Sequence, residues 1–253
     1  NNDAADSSDE ILTESEKDAI GEIANISMGT AATTLFSLVN RRVEISTPVV
    51  SFSNWDKIVD EYEKPCVFIK IGYTQGLNGS NILVLKEKDV KIITDLMMGG
   101  DGTNINGEIG ELHLSAISEA MNQMMGSSAT SLSSMLNRTI DISPPIAEVV
   151  DLKNTLNEGE IDSFLSEEFV KISFHMEIGD LVDSEIMQLY PPAFVKEMCK
   201  GVSQNMELDT QSVTEDVPQS SNTATQAAPI QQPQDSGSMN NASANSQGMI
   251  NEN

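Results

Sequence analysis

Two short stretches, "EIANISMG" at residues 22–29 and "EAMNQMMG" at residues 119–126, carry Glu, then Asn three residues on, then Met-Gly. On a helix, side chains three apart stand next to each other, so Glu22 would flank Asn25 and Glu119 would flank Asn122. The carboxylate can pair with a cation. The carboxamide both donates and accepts, so it can hold a water without adding charge. Such a pair is not a hydrolase by itself. No Ser-His-Asp set accompanies it, and His113, in the first turns of a helix, and His175, within a strand, read as structural or surface residues. The pair does suit a phosphatase completed by its partner. An amide can orient water beside an anionic phosphoryl group, as a glutamine does in GTPases, while the carboxylate meets a lysine of the partner.

The spacing asks for long helices. Thr13 followed by Glu16 is a capping-box signature, and Ile20, Ala24, Ser27, Ala31, Leu35 and Leu38 fall on one apolar stripe, which predicts a helix over 14–39. Ile117, Met121, Met124, Ser128, Leu132 and Met135 form the equivalent stripe of a helix over 109–136. On the opposite side Asp18, Glu22, Asn25 and Gly29 make a second stripe, repeated as Ser115, Glu119, Asn122 and Gly126. One such stripe is an ordinary wet surface. Asn is a poor helix former and Gly costs about 1 kcal/mol, so both recurring in both copies points to a surface with a task. Glycine there would also let a partner approach the helix closely.

The repeat is wider than the motif. Residues 22–49 match residues 119–146 without gaps at 13 of 28 positions. Farther on, "FIKIGY" (68–73) resembles "FVKISF" (169–174), and "SNILVL" (80–85) resembles "SEIMQL" (184–189). "VFIKIGY" and "NILVLK" flank a turn holding Gly76, Asn78 and Gly79 and predict an antiparallel hairpin; "EEFVKISFHMEI" and "DSEIMQLY" predict a second. "DVKIITDLMMGG" and "PAFVKEMCKG" read as short closing helices ended by Gly. The expected fold is α+β, a duplicated unit with halves at about 12–105 and 106–201.

Composition sets the remaining bounds. From residue 202 the chain is dominated by Ser, Asn, Gln, Ala and Pro, which predicts a disordered linker or tail over 202–253; residues 1–11 read as a flexible segment. A formal charge of −25, with 39 acids against 14 bases, argues against a nucleic-acid surface; it suits a basic protein partner, but charge alone reads first as what keeps the chain soluble. No apolar run is long enough to span a membrane, and the first residues are not a signal peptide, so a soluble cytoplasmic protein without membrane insertion is expected. Cys66 and Cys199 read as buried thiols, with no structural metal. "GGDG" at 99–102 lacks the Gly-Lys-Ser/Thr of a phosphate loop and reads as a plain connection. The 13 Met residues read as core filler, and Trp55, Phe52 and Ile58 as a small cluster over the sheet.

The pattern Asp or Ser, Glu, Asn, Pro occurs twice without slippage, as Asp18, Glu22, Asn25, Pro48 and as Ser115, Glu119, Asn122, Pro145. It resembles the signature of the CheC, CheX and FliY family of response-regulator phosphatases, and the flanking text resembles the middle domain of the FliY branch, across roughly 12–201. The resemblance implies a CheC-like pseudo-two-fold unit, an antiparallel sheet with two long exposed helices that dock on phosphorylated CheY. It implies that Asn25 and Asn122 orient the attacking water, that Glu22 and Glu119 contact the receiver's lysine, and that Mg²⁺ is supplied by CheY, with no cofactor of the chain's own. It also implies a place at the cytoplasmic face of the flagellar basal body, with the switch proteins FliM, FliG and a FliN-like partner. Members of that branch usually begin with a CheY-binding peptide and end in a FliN-like domain. Neither is recognisable, and no initiator Met is present, so the chain reads as part of a longer protein. A free CheC-type phosphatase and a non-catalytic CheY-binding switch component are the alternatives.

Overall fold

A computed structural model describes residues 11–61, 65–152, 159 and 161–214. In chain order these form α1 (Glu14–Val39), β1 (Val43–Ile45), β2 (Val49–Ser53), α2 (Trp55–Glu61), β3 (Cys66–Gln75), β4 (Gly79–Lys86) and α3 (Glu87–Met97). The second half continues with α4 (Glu111–Leu136), β5 (Asp141–Ile142), β6 (Ile146–Val150), a 3₁₀ turn at Ser163–Ser166, β7 (Phe169–Ile178), β8 (Val182–Tyr190) and α5 (Pro192–Thr214). The expected α+β duplication is present.

Local chemistry fixes the helix ends. The Glu16 amide donates to Thr13 Oγ1 at 3.2 Å while the Thr13 amide donates to Glu16 Oε2 at 2.8 Å, closing the capping box that starts α1. At the start of α4 the Gly110 amide donates to His113 Nδ1 at 3.2 Å, so His113 takes the part that Glu16 plays in the first copy. Both long helices end on an asparagine in the left-handed region, Asn40 (φ 48) and Asn137 (φ 47).

All strands pair antiparallel in one eight-stranded sheet, whose main path runs β1-β7-β8-β4-β3-β5. β2 also pairs with β7, and β6 with β3. The first strands of each half therefore hydrogen-bond to the hairpin of the other half, and β4 against β8 closes the centre. One face of the sheet carries the main core. Val67, Ile69 and Ile71 of β3 and Val170, Ile172 and Phe174 of β7 meet the buried stripes of α1 and α4 there. On the other face Phe68, Ile82, Val84 and Met187 pack with Trp55 and Ile58. Phe52 departs from the sequence reading. It lies on the helix-facing side against the main core, because alternation along β2 turns it away from Trp55.

The closing helices divide. α3 stops before Gly99, whose φ of 88 provides the left-handed step after a helix end. α5, expected to end at Gly201 with a disordered tail from 202, instead continues to Thr214. A Cβ on Gly201 would lie 2.6 Å from Leu136 Cδ2. This glycine serves the close crossing of α5 over the end of α4 rather than a helix stop. The expected segment at 1–10 and the tail from 215 lie outside the described residues. Among the described residues no helix is long and apolar enough to cross a membrane.

Candidate functional site

α1 and α4 lie against each other with their chains antiparallel. Thr34 Oγ1 donates to Ser127 Oγ at 2.7 Å, and the hydroxyls of Thr30 and Ser131 stand 2.7 Å apart. With the two copies offset by 97 residues, as in Glu22 and Glu119, each of these contacts maps onto the other. A pseudo-two-fold axis therefore passes through the crossing. Beneath it Gln188 directs Nε2 toward the sulfurs of Met28 (3.6 Å) and Met125 (3.9 Å). The Met of each Met-Gly pair thus turns inward to the shared core while the Gly turns out.

The motif residues line up on the outer side. Asp18, Glu22 and Gly29 are exposed and Asn25 is half-buried; Ser115 and Glu119 are exposed, and Asn122 and Gly126 half-buried. Each Glu and Asn opens onto a surface depression. The first holds about 380 Å³ and is bounded by Asp18, Gly21, Glu22 and Asn25 of α1 and by Thr47, Pro48 and Val50 leading into β2. The second holds about 420 Å³, bounded by Ser115, Ser118, Glu119 and Asn122 of α4 and by Pro144, Pro145, Ile146 and Ala147 leading into β6. The proline of each motif, distant in sequence, forms the wall opposite its asparagine. Gly29 and Gly126 lie outside these depressions, farther along the same helices. An added Cβ at either would meet nothing within 4 Å, so no internal packing accounts for them.

The two depressions differ in their charges. In the first, Lys17 bonds to Glu14 and sits 5.2 Å above the Phe52 ring, and the carboxylates of Asp18 and Glu22 line the same depression. In the second, Leu114 and Ser115 replace Lys17 and Asp18, and Gln123 Nε2 donates to Glu119 Oε1 at 2.7 Å. Gln123 was not singled out by the sequence reading, nor were the hydroxyls at the crossing. The signal existed: Gln123 is one turn beyond Glu119, and "TAATT" faces "SSATS" in the repeat.

Neither depression is lined by a cysteine or a histidine. Both cysteines are buried elsewhere, outside any disulfide, and burial pushes their thiols up to about 11. His175 lies exposed on β7, its Nε2 3.1 Å from Glu177 Oε1. No three His, Cys, Asp or Glu side chains converge as a metal site among the described residues. "GGDG" is a connection closed by Asp95, whose Oδ2 accepts from the Gly102 amide at 2.8 Å. What each depression offers is a carboxylate, a carboxamide and an open approach.

The CheC-like family profile matches residues 16–52 and 112–149, the two helix-to-strand units that build the depressions. The crystal structure of Thermotoga maritima FliY superposes with a TM-score of 0.69 at 42% identity, over 76% of this chain and 98% of that one. The chain belongs to the FliY/CheC family. Within that family it is 48% identical over 191 residues to the flagellar motor switch phosphatase FliY of Bacillus subtilis, a match covering 76% of this chain and 50% of that protein. The chain thus spans half the length of that relative. A chain in the crystal structure of the FliG-FliM complex from H. pylori shares the fold, with a TM-score of 0.60 at 15% identity over 75% of this chain and 100% of that one.

Proposed function

We propose that the chain is a phosphatase for the phosphorylated receiver CheY at the flagellar motor switch, and that it works through two pseudo-symmetric sites. The observation that carries the reading is the pair of depressions, each assembled from the Glu and Asn of one long helix and the proline of the following loop. The names of the relatives support it: one is a flagellar motor switch phosphatase, and a 24% identical relative is the CheY-P phosphatase CheC of Bacillus subtilis.

In this reading the receiver brings the aspartyl phosphate and its Mg²⁺, and the chain brings no cofactor of its own. Asn25 or Asn122 holds a water by accepting a hydrogen bond from it at the carboxamide oxygen and turns the water oxygen toward phosphorus. That oxygen forms the new P–O bond as the bond to the aspartyl carboxylate breaks, releasing inorganic phosphate and a free carboxylate. Glu22 or Glu119 pairs with the receiver's lysine and fixes the register of docking. A neutral amide suits the position, since a carboxylate there would repel the phosphoryl oxygens. In the intact protein this unit would lie in the cytoplasm at the basal body, beside FliM, FliG and a FliN-like partner.

The test is phosphate release from CheY charged with a small phosphodonor, with and without the chain. Acceleration that Glu22→Ala with Glu119→Ala removes by raising KM supports the assignment. Binding of phosphorylated CheY without any acceleration would make the chain a docking component instead.

A further inference from the structure

The outward stripe of α1 does not end at Gly29. Counting on by helical turns from Asp18, Glu22, Asn25 and Gly29, the same line runs through Ala32 and Thr33 to Phe36. Phe36 is 49% exposed. Beside this line lies a groove of about 590 Å³, with Gly29, Ala32, Thr33 and Phe36 on one wall and Val43 and Ile45 of β1 on the other. Glu44, paired with Arg42, and Glu177, 3.1 Å from His175 Nε2, stand along the rim beside His175 itself.

The second copy is built differently at the same place. Ser133 replaces Phe36, and its hydroxyl is used internally, donating to the Ala129 carbonyl at 2.8 Å and accepting from the Ile140 amide at 2.9 Å. Ala129, the counterpart of Ala32, is buried at 4% exposure. The stripe of α4 therefore ends in a closed turn, where that of α1 ends in an exposed ring above a groove.

We propose that this groove is a second docking surface belonging to the first site alone, and that its occupant is the phosphorylated receiver engaged at Glu22 and Asn25. The assignment rests on the phosphatase reading above. Phe36 is eleven residues beyond Asn25, about 16 Å along the helix at 1.5 Å per residue. A standard interface of about 800 Å² per partner is roughly 32 Å across if round, so a receiver seated on Asn25 reaches the ring. The groove takes an apolar face of the receiver, seated against Ala32, Phe36, Val43 and Ile45. The two sites then share their chemistry but differ in how firmly they hold the same substrate.

The two sites provide the control. In the chain carrying Asn122→Ala only the first site works, and in the chain carrying Asn25→Ala only the second. Phe36→Ser, which copies the second half, should raise KM for phosphorylated CheY roughly tenfold or more in the first background and leave kcat unchanged. Ala32→Arg, which fills the groove, should do the same. Neither should alter KM in the second background. An unchanged KM in both backgrounds overturns the groove while the phosphatase reading stands, and an equal rise in both overturns it as a general effect. A parent chain with no activity removes the phosphatase reading and this assignment together.

Discussion

Replacing Gly29 and Gly126 by Ala should make the protein more stable and a poorer phosphatase. Both glycines lie inside 26-residue helices, and a Cβ at either position would meet nothing within 4 Å. Glycine in a helix interior costs about 0.8–1 kcal/mol relative to Ala, because the unfolded chain loses more freedom there. With no clash to offset the gain, the double variant should be about 2 kcal/mol more stable. For a domain of this size that is a rise in Tm of about 4–8 °C. Docking should respond oppositely. An extra methyl where a partner packs closely costs about 1–3 kcal/mol, or roughly five- to 150-fold in KM, with kcat little changed. Urea and thermal unfolding measure the first effect, and phosphate release over a range of receiver concentrations the second. A gain in stability with unchanged KM would refute close approach as the reason for the glycines, and a loss of stability would refute the packing described around them.

Gly76 should not tolerate Ala: its φ is 80 and a Cβ would lie 2.2 Å from the Thr139 carbonyl oxygen, so a loss of more than about 2 kcal/mol is expected in urea unfolding. With their thiols pushed up to about 11 by burial, Cys66 and Cys199 stay protonated at pH 8. A thiol reagent should label neither in the native protein and both after denaturation. Because β2 pairs with β7 and β6 with β3, a chain of residues 12–105 alone should show no cooperative unfolding transition, and co-expression with residues 106–214 should restore it.

Much of this arrangement was legible in the sequence, and the reasons are local. The bounds of α1 followed from the Thr13–Glu16 box and an unbroken apolar stripe, both written within a few turns of chain. The repeat made the duplication and the four strands of the two hairpins readable, since equal sequences fold alike. What stayed hidden depended on contacts between distant segments. Gly201 has the look of a helix stop, and only the position of Leu136 shows that it serves a crossing. Phe52 and Trp55 are close in sequence, yet the pleat of β2 and the start of α2 send them to opposite faces of the sheet. The exchange of β2 and β6 between halves is likewise a long-range choice, with nothing in either strand alone to announce it. At the site, the residue types and their stripe were readable, while the walls at Thr47 and Pro144 and the hold of Gln123 on Glu119 needed the fold.

The most direct test of the two-site account is the double variant Asn25→Ala with Asn122→Ala, followed by phosphate loss from phosphorylated CheY and by affinity for it. If the amides only orient water, each loss should slow its own site on the order of 10²-fold. Each single variant should keep the other site's share, and the double variant should fall to the receiver's own rate while its Kd stays within a few-fold of the parent. A double variant that still accelerated dephosphorylation would contradict these helices as the catalytic surface, and one that no longer bound the receiver would contradict water orientation as the role of the two asparagines.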